Sequence, residues 1–317
     1  MRNNSDRSTR TIKVKAFAKI NLSLDIVGKR SDGYHEVKMI MQSINLHDSL
    51  TFTPSSEILL RTSKSFLPTN DHNLIVKAAK LLKQYTGVKL GVNIYLQKSI
   101  PVGAGLGGGS ADAAATLMAL NRFWRVHLSV ADLRKLAVTI GADVPFCLTG
   151  GTALAEGIGE KLTPLPALPK VRLILVKPPF SVNTKEVYEK YDTLLVTGHP
   201  EIGKVVNFIK SGDFWQIPDY WGNVLEDVTL ELHPVLKAYL SELGSFGLPV
   251  RMSGSGPTIF VLIPEGLPGE NLSGLDKLKK KLAKDDWWVY EGCFHGEGSQ
   301  FLVEKGEEDG EKIITPH

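Results

Sequence analysis

A chain of 317 residues, 43 % hydrophobic and 22 % charged, has ordinary globular composition and suffices for two modest domains or one large one. Its formal charge of +3, with lysines scattered apart from a short run at Lys277–Lys284, argues against nucleic acid or an anionic membrane as partner and leaves room for a local anion site. Two distant cysteines, Cys147 and Cys293, lack CxxC or Cys/His spacing, so they read as reduced thiols rather than a disulfide framework or zinc site.

The polar segment Met1–Arg10 lacks the apolar stretch of a signal peptide, and no later segment approaches the roughly 18 apolar residues of a membrane span. A soluble, cytoplasmic protein is expected. From Thr11 the sequence reads as short strands at Ile12–Phe17, Asn21–Val27, Lys38–Ile44 and Ser49–Phe52, with a polar turn at Arg30-Ser-Asp-Gly33. Leu74, Ala78, Leu81 and Leu82 then recur at helical spacing between Asn73 and Tyr85, Gly87 stops the helix, and Gly91–Leu96 reads as a strand.

A glycine-dense loop, Pro101–Gly109, runs into a helix over Ala111–Trp124 with Ser110 as its N-cap. A helix at Val130–Ile140 leads into Gly141-Ala-Asp-Val-Pro145, and Gly150-Gly151 opens a strand through Glu156. Clustered prolines at Pro164–Pro169 suggest a domain boundary. Beyond it come a strand at Val171–Val176, helices at Lys185–Tyr191, Ile202–Ser211 and Pro234–Leu243, a strand at Thr258–Ile263, a helix at Leu275–Lys284 and a strand at Trp287–Glu291. This order is that of an α+β chain. The glycine- and acid-rich tail after Gly292 is expected to be mobile.

The loop places five glycines just before a helix N-terminus, where unpaired N–H groups and the positive dipole end favour an anion such as phosphate. Gly103-x-Gly105-x-x-Gly108 satisfies GxGxxG, but no acidic residue ends a following strand, because Asp132 lies in a helical stretch. Gly108 is followed by Gly109-Ser110 rather than Lys-Ser/Thr, which sets a Walker loop aside.

Pro101–Ala115 resembles the second signature of the GHMP kinases, Pro-x3-Gly-Leu-Gly followed by Ser, Gly or Ala. Ala16-Phe-Ala-Lys-Ile-Asn-Leu22 resembles their first motif and Met252-Ser-Gly-Ser-Gly-Pro-Thr258 their third. Together with Arg30-Ser-Asp-Gly-Tyr-His35 and Gly141-Ala-Asp-Val-Pro-Phe146, the set is similar to the diphosphocytidyl-methylerythritol kinase branch, over about Lys13 to Ile263. The resemblance implies an α+β, two-domain GHMP kinase fold. Residues 1–165 would form a ribosomal-protein S5 domain 2-like N-terminal domain, and residues 166–317 a ferredoxin-like C-terminal domain with its tail. It implies ATP with Mg²⁺, whose ligands it leaves unassigned, and a small cytidine-diphosphate substrate phosphorylated on its 2-hydroxyl for isoprenoid precursor synthesis. No nucleic acid, membrane or obligate protein partner is implied.

Residue by residue, the resemblance makes Lys19 and Asp143 catalytic. The carboxylate would accept the hydroxyl proton, and the ammonium would stabilise developing alkoxide. On spacing alone Asp143 also reads as a turn or helix cap before Pro145, and Lys19 as a solvent-facing strand lysine. ATP is assigned to Pro101, Val102, Gly103, Ala104, Gly105, Leu106, Gly107, Gly108, Gly109, Ser110 and Ala111. Asn21 shares a strand face with Lys19, and Tyr34 and His35 follow a glycine turn suited to stacking on a pyrimidine and bonding its edge. Val182-Asn-Thr-Lys-Glu-Val-Tyr188 resembles the substrate segment, with Thr184 and Tyr188 carried over and Asn183 where Ser is common. Asp112, in the first helical turn, reads as structural because it would repel phosphate.

Overall fold

The computed structural model describes residues 11–302. The expected signal-free N-terminus and most of the expected mobile tail lie outside them.

The expected pairs of N-terminal strands are two long ones, β1 (Ile12–Lys29) and β2 (His35–Thr53), paired antiparallel. The breaks in alternation that divide them in the sequence are register shifts within one strand, between Phe17 and Lys19 and between Asn21 and Ser23. With β3 (Ile58–Thr62), β4 (Val92–Gln97), β5 (Thr152–Gly157) and β6 (Lys161–Pro164) they build the first sheet. Its outer strand beyond β1 is β11 (Ser299–Leu302), so the chain after Gly292 is ordered through Leu302, against expectation, because its backbone pairs antiparallel with Lys13–Ala16.

Helices α1 (Leu74–Thr86), α2 (Gly108–Phe123), α3 (Val130–Ile140) and α4 (Val144–Thr149) share a hydrophobic core with this sheet. Asn73 caps α1 through its side chain, and Gly87 ends it in the left-handed region. Alanines at 111, 113, 114 and 115, all buried, let α2 lie close to the strands beneath.

The second sheet has the order β10-β7-β9-β8, from β7 (Arg172–Lys177), β8 (Val250–Met252), β9 (Ile259–Ile263) and β10 (Trp288–Cys293), all antiparallel. That is the ferredoxin-like arrangement. Ile174 and Val176 face α8 (Val235–Gly244) and α9 (Gly269–Lys284). Leu173 and Leu175 face α6 (Ile202–Ser211), a 3₁₀ turn at Phe214–Asp219 and the β1–β2 pair. Two further helices, α5 (Thr184–Tyr191) and α7 (Val224–Leu232), pack on the first core. The expected elements do not include α4, α7, β3, β6, β8 or β11. Among the described residues no helix is long and apolar enough to cross a membrane.

Candidate active site

Along β1, Val14 and Ala16 join the helix-side core, Ala18, Ile20 and Leu22 join the core between the sheets, and Leu24 and Ile26 return to the helix side. The two register shifts bracket residues 19–21 and invert the alternation there. Bulges re-aim side chains in this way. Lys19 and Asn21 are thereby turned toward the helix layer. Both are buried, and Lys19 Nζ donates to Asn21 Oδ1 at 2.8 Å and pairs with Asp143 Oδ2 at 3.2 Å.

Asp143 occupies the N-cap position of α4 but makes no side-chain cap bond. Its carboxylate therefore faces Lys19 instead, 28 % exposed beside an ammonium only 6 % exposed. Cys147, one turn into α4, is buried, and burial reinforced by Asp143 pushes its thiol well above the usual range, so it stays protonated.

The glycine loop wraps the other side of Lys19. Lys19 N–H donates to Leu106 O at 3.1 Å, and a Cβ on Gly107 would lie 2.9 Å from Lys19 Cγ. Gly107, at φ 67°, is the N-cap of α2, which corrects the reading of Ser110 as cap: Ser110 sits inside the first turn. The first helical bond runs from Ala111 N to Gly107 O, so the N–H groups of Gly108, Gly109 and Ser110 precede the helical ladder. Ala104, Leu106 and Ala111 are buried in the cores, whereas Val102 is exposed. The start of the loop is braced by Ser181, whose Oγ donates to Val102 O at 3.2 Å.

Behind the loop lies a charged cluster that sequence spacing did not reveal. Lys98 Nζ donates to Asp48 Oδ2 at 2.5 Å and Asp112 Oδ2 at 2.6 Å, and all three side chains are buried. Asp48 Oδ1 also accepts from Ser99 N and Ile100 N, fixing the strand-to-loop turn. Asp112 is structural, as read from sequence, but through Lys98 rather than the helix dipole.

The third motif packs directly on the first two. Ser253 Oγ donates to Gly105 O at 3.0 Å and accepts from Asn21 N at 3.2 Å. At Gly105, φ 74°, a Cβ would come within 2.2 Å of Ser253 O, a contact that only glycine avoids. Ser255 Oγ and Thr184 Oγ1 share a hydrogen bond of 2.8 Å, bringing the segment Val182–Tyr188 to the same loop. Asn183 caps α5 by accepting from Lys185 N, the service a serine would provide.

His35 lies against Tyr188, ring centroids 5.0 Å apart, with the edge of Tyr191 at 6.0 Å. Its Nε2 bonds Asp192 Oδ1 at 2.7 Å, and Asp192 also accepts from Lys29. These two hydrogen bonds hold the Asp192 carboxyl below its usual range. Burial, with the Asp143 charge as a lesser cause, pushes the Tyr188 phenol up. Tyr34 stands apart on its turn, 62 % exposed. The structure thus brings Lys19, Asn21, Asp143, the glycine loop and Thr184 together, and pairs His35 with Tyr188. Asp192 and Lys98 were missed because single charged residues carry no spacing signal.

Residues 73–151 match the family described as GHMP kinases N terminal domain and residues 211–284 that described as GHMP kinases C terminal. A 4-diphosphocytidyl-2-C-methyl-D-erythritol kinase of Lachnoclostridium phytofermentans is 50 % identical over 254 residues, 79 % of this chain and 87 % of its own length. One of Clostridium beijerinckii is 46 % identical over 272 residues, 85 % of this chain and 96 % of its own. A crystal structure of 4-(cytidine 5'-diphospho)-2C-methyl-D-erythritol kinase superposes with TM-score 0.73 at 33 % identity, covering 90 % of this chain and 99 % of that one. At such identity over so much of both sequences, and with all three motifs in contact with one another, the chain belongs to the GHMP kinases and, within them, to the 4-diphosphocytidyl-2-C-methyl-D-erythritol kinase family.

Proposed function

We propose that this enzyme transfers the γ-phosphoryl group of ATP to the 2-hydroxyl of 4-diphosphocytidyl-2-C-methyl-D-erythritol, a step of isoprenoid precursor synthesis. The observation that carries the reading is the Lys19–Asp143 pair, 3.2 Å apart beside a glycine loop that opens a helix. A hydroxyl between the two would give its proton to the Asp143 carboxylate, while the Lys19 ammonium stabilises the growing negative charge on oxygen. Asn21 holds Lys19 in place through the 2.8 Å bond to its ammonium. Phosphoryl transfer needs little else from the protein than placement and charge.

The loop suits ATP phosphates. Its glycines leave no Cβ in the way, and the N–H groups of Gly108, Gly109 and Ser110 at the start of a 16-residue helix can receive an anion. Among the described residues no group of three His, Cys, Asp or Glu could hold a metal ion. Mg²⁺ would accompany ATP, held largely by its phosphates and water, with any protein ligand unassigned. We assign cytosine to Tyr34 and Tyr188, with His35 at its edge and Thr184 beside the third motif. The bacterial relatives and the two free cysteines fit a cytoplasmic setting.

The test is an ADP-release assay with ATP, Mg²⁺ and the cytidine substrate, run beside mevalonate, homoserine and galactose. Turnover with the cytidine compound alone is expected. Turnover with a control instead would overturn the substrate, and silence with all four would overturn the kinase reading.

A further inference from the structure

The first turn of α7 grips the third motif from behind. Asn223 Oδ1 caps the helix by accepting from Leu225 N at 3.1 Å, while its Nδ2 donates to Met252 O at 2.9 Å and Gly254 O at 2.7 Å. Every hydrogen-bonding atom of that amide is used. Three residues on, Glu226 Oε2 accepts from Met252 N at 2.6 Å, and Thr229 Oγ1 donates to Ser255 O at 3.2 Å. All three side chains are buried, none more than 9 % exposed.

A Ser-Gly-Ser-Gly turn between two strands does not need such a grip for the sheet to form. Gly254 and Gly256, at φ 59° and 75°, give the turn more backbone freedom than any other pair of residues would. Its front side is where the freedom would matter. Ser253 meets both Asn21 and Gly105, and Gly254 lies against Asn21, so a shift of the turn moves the partner of Lys19 and the wall of the glycine loop together. The chain just before α7 is itself stitched to β1, where Leu24 N donates to Gly222 O at 2.8 Å.

Resting on the kinase reading above, we propose that Asn223 and Glu226 are positioning residues of the transfer: they fix residues 252–256 so that Asn21 and Lys19 stand in register with the glycine loop. Neither touches the reacting atoms. A displacement of about 1 Å in such a support can cost around a hundredfold in rate.

Two readouts test this on the whole protein. Asn223→Ser keeps a good N-cap for α7 but is too short to reach Met252 O and Gly254 O. Glu226→Ala removes the acceptor for Met252 N–H, and Glu226→Gln supplies an oxygen in its place. Hydrogen exchange without substrate is expected to quicken at Met252–Gly256 and at Asn21 in N223S and E226A, and to return toward wild type in E226Q. Under saturating substrates kcat should fall roughly 10- to 100-fold in the first two variants, with KM for ATP near wild type, and recover in E226Q. Unchanged exchange at those amides, or wild-type kcat in N223S, would overturn the proposal. The exchange arm needs no turnover, so wild-type enzyme silent on the cytidine compound would sink the substrate assignment and leave the exchange result to decide the grip.

Discussion

Lys19 Nζ reaches Asp143 Oδ2 at 3.2 Å only because β1 changes face between Phe17 and Ser23. Regular alternation would have aimed Lys19 at the core between the sheets, where Ile20 and Leu22 now lie. Replacing Asp143 by alanine removes the proposed proton acceptor and leaves the glycine loop in place. Turnover is expected to drop by at least about 10²–10⁴-fold with ATP binding retained. Single-turnover rates and calorimetric titration with ATP check it, and a variant with near wild-type rate would remove Asp143 from the chemistry.

Gly105→Ala tests the contact between the second and third motifs. The new methyl would fall 2.2 Å from Ser253 O at a residue with φ 74°. The backbone cost alone is about 1–2 kcal/mol, and the clash adds to it. A lower melting temperature together with reduced kcat is expected. A variant as stable and as fast as wild type would show that the two loops do not bear on one another.

Tyr188→Ala should act on binding rather than on chemistry. Stacking of a base on an aromatic ring is worth roughly 1–3 kcal/mol, so KM for the cytidine substrate is expected to rise about tenfold or more, with kcat little changed. Initial rates over a range of substrate concentration decide this. An unaltered KM would move the cytosine site elsewhere.

The buried Lys98 cluster carries the stability predictions. Removing the ammonium in Lys98→Ala leaves two carboxylates together in the core and is expected to cost about 3–5 kcal/mol. Asp112 behaves differently. Burial, only partly opposed by Lys98, pushes its carboxyl well above the ordinary range, and its Oδ1 has no hydrogen-bond partner. A carboxyl whose pKa rises on folding favours the folded state most below its unfolded pKa, and that favour is lost as pH climbs toward the folded value. Asp112→Asn escapes the loss. Its melting temperature relative to wild type should therefore improve as pH rises above the ordinary carboxylate pKa, from about pH 4 upward. A constant difference across that range would mean that Asp112 folds ionised.

Most strands and helices and the three motifs were legible in the sequence, because each rests on local pattern; Lys19 and Asp143 stood out only through the resemblance of those motifs to the family's. What could not be read was which way a side chain faces once a register shift intervenes. The gap left between Phe17 and Asn21 marked the right place, since alternation fails there, but a shift and a strand end look alike in one dimension. Ser110 was misread as a cap for a related reason: a serine before an alanine-rich run is the usual start, yet close approach to Lys19 moves the start to Gly107. Asn223-x-x-Glu226 has the spacing of a capping box and could have announced α7. Its glutamate turns instead to Met252, which only the folded chain shows.

The pairing of β11 with β1 also governs how the molecule is made. The sheet that carries Lys19 obtains its outer strand from residues that follow the whole second sheet, so the second sheet is topologically an insertion within the first. During synthesis the edge of β1 stays bare until the chain beyond Gly298 has emerged, and its Lys13–Ala16 backbone is open to any strand nearby. Long-range pairing of this kind is slow because loop closure comes before the contacts that reward it. Nearly all of the described chain must therefore be made before β11 can cover the Lys13–Ala16 edge of that sheet.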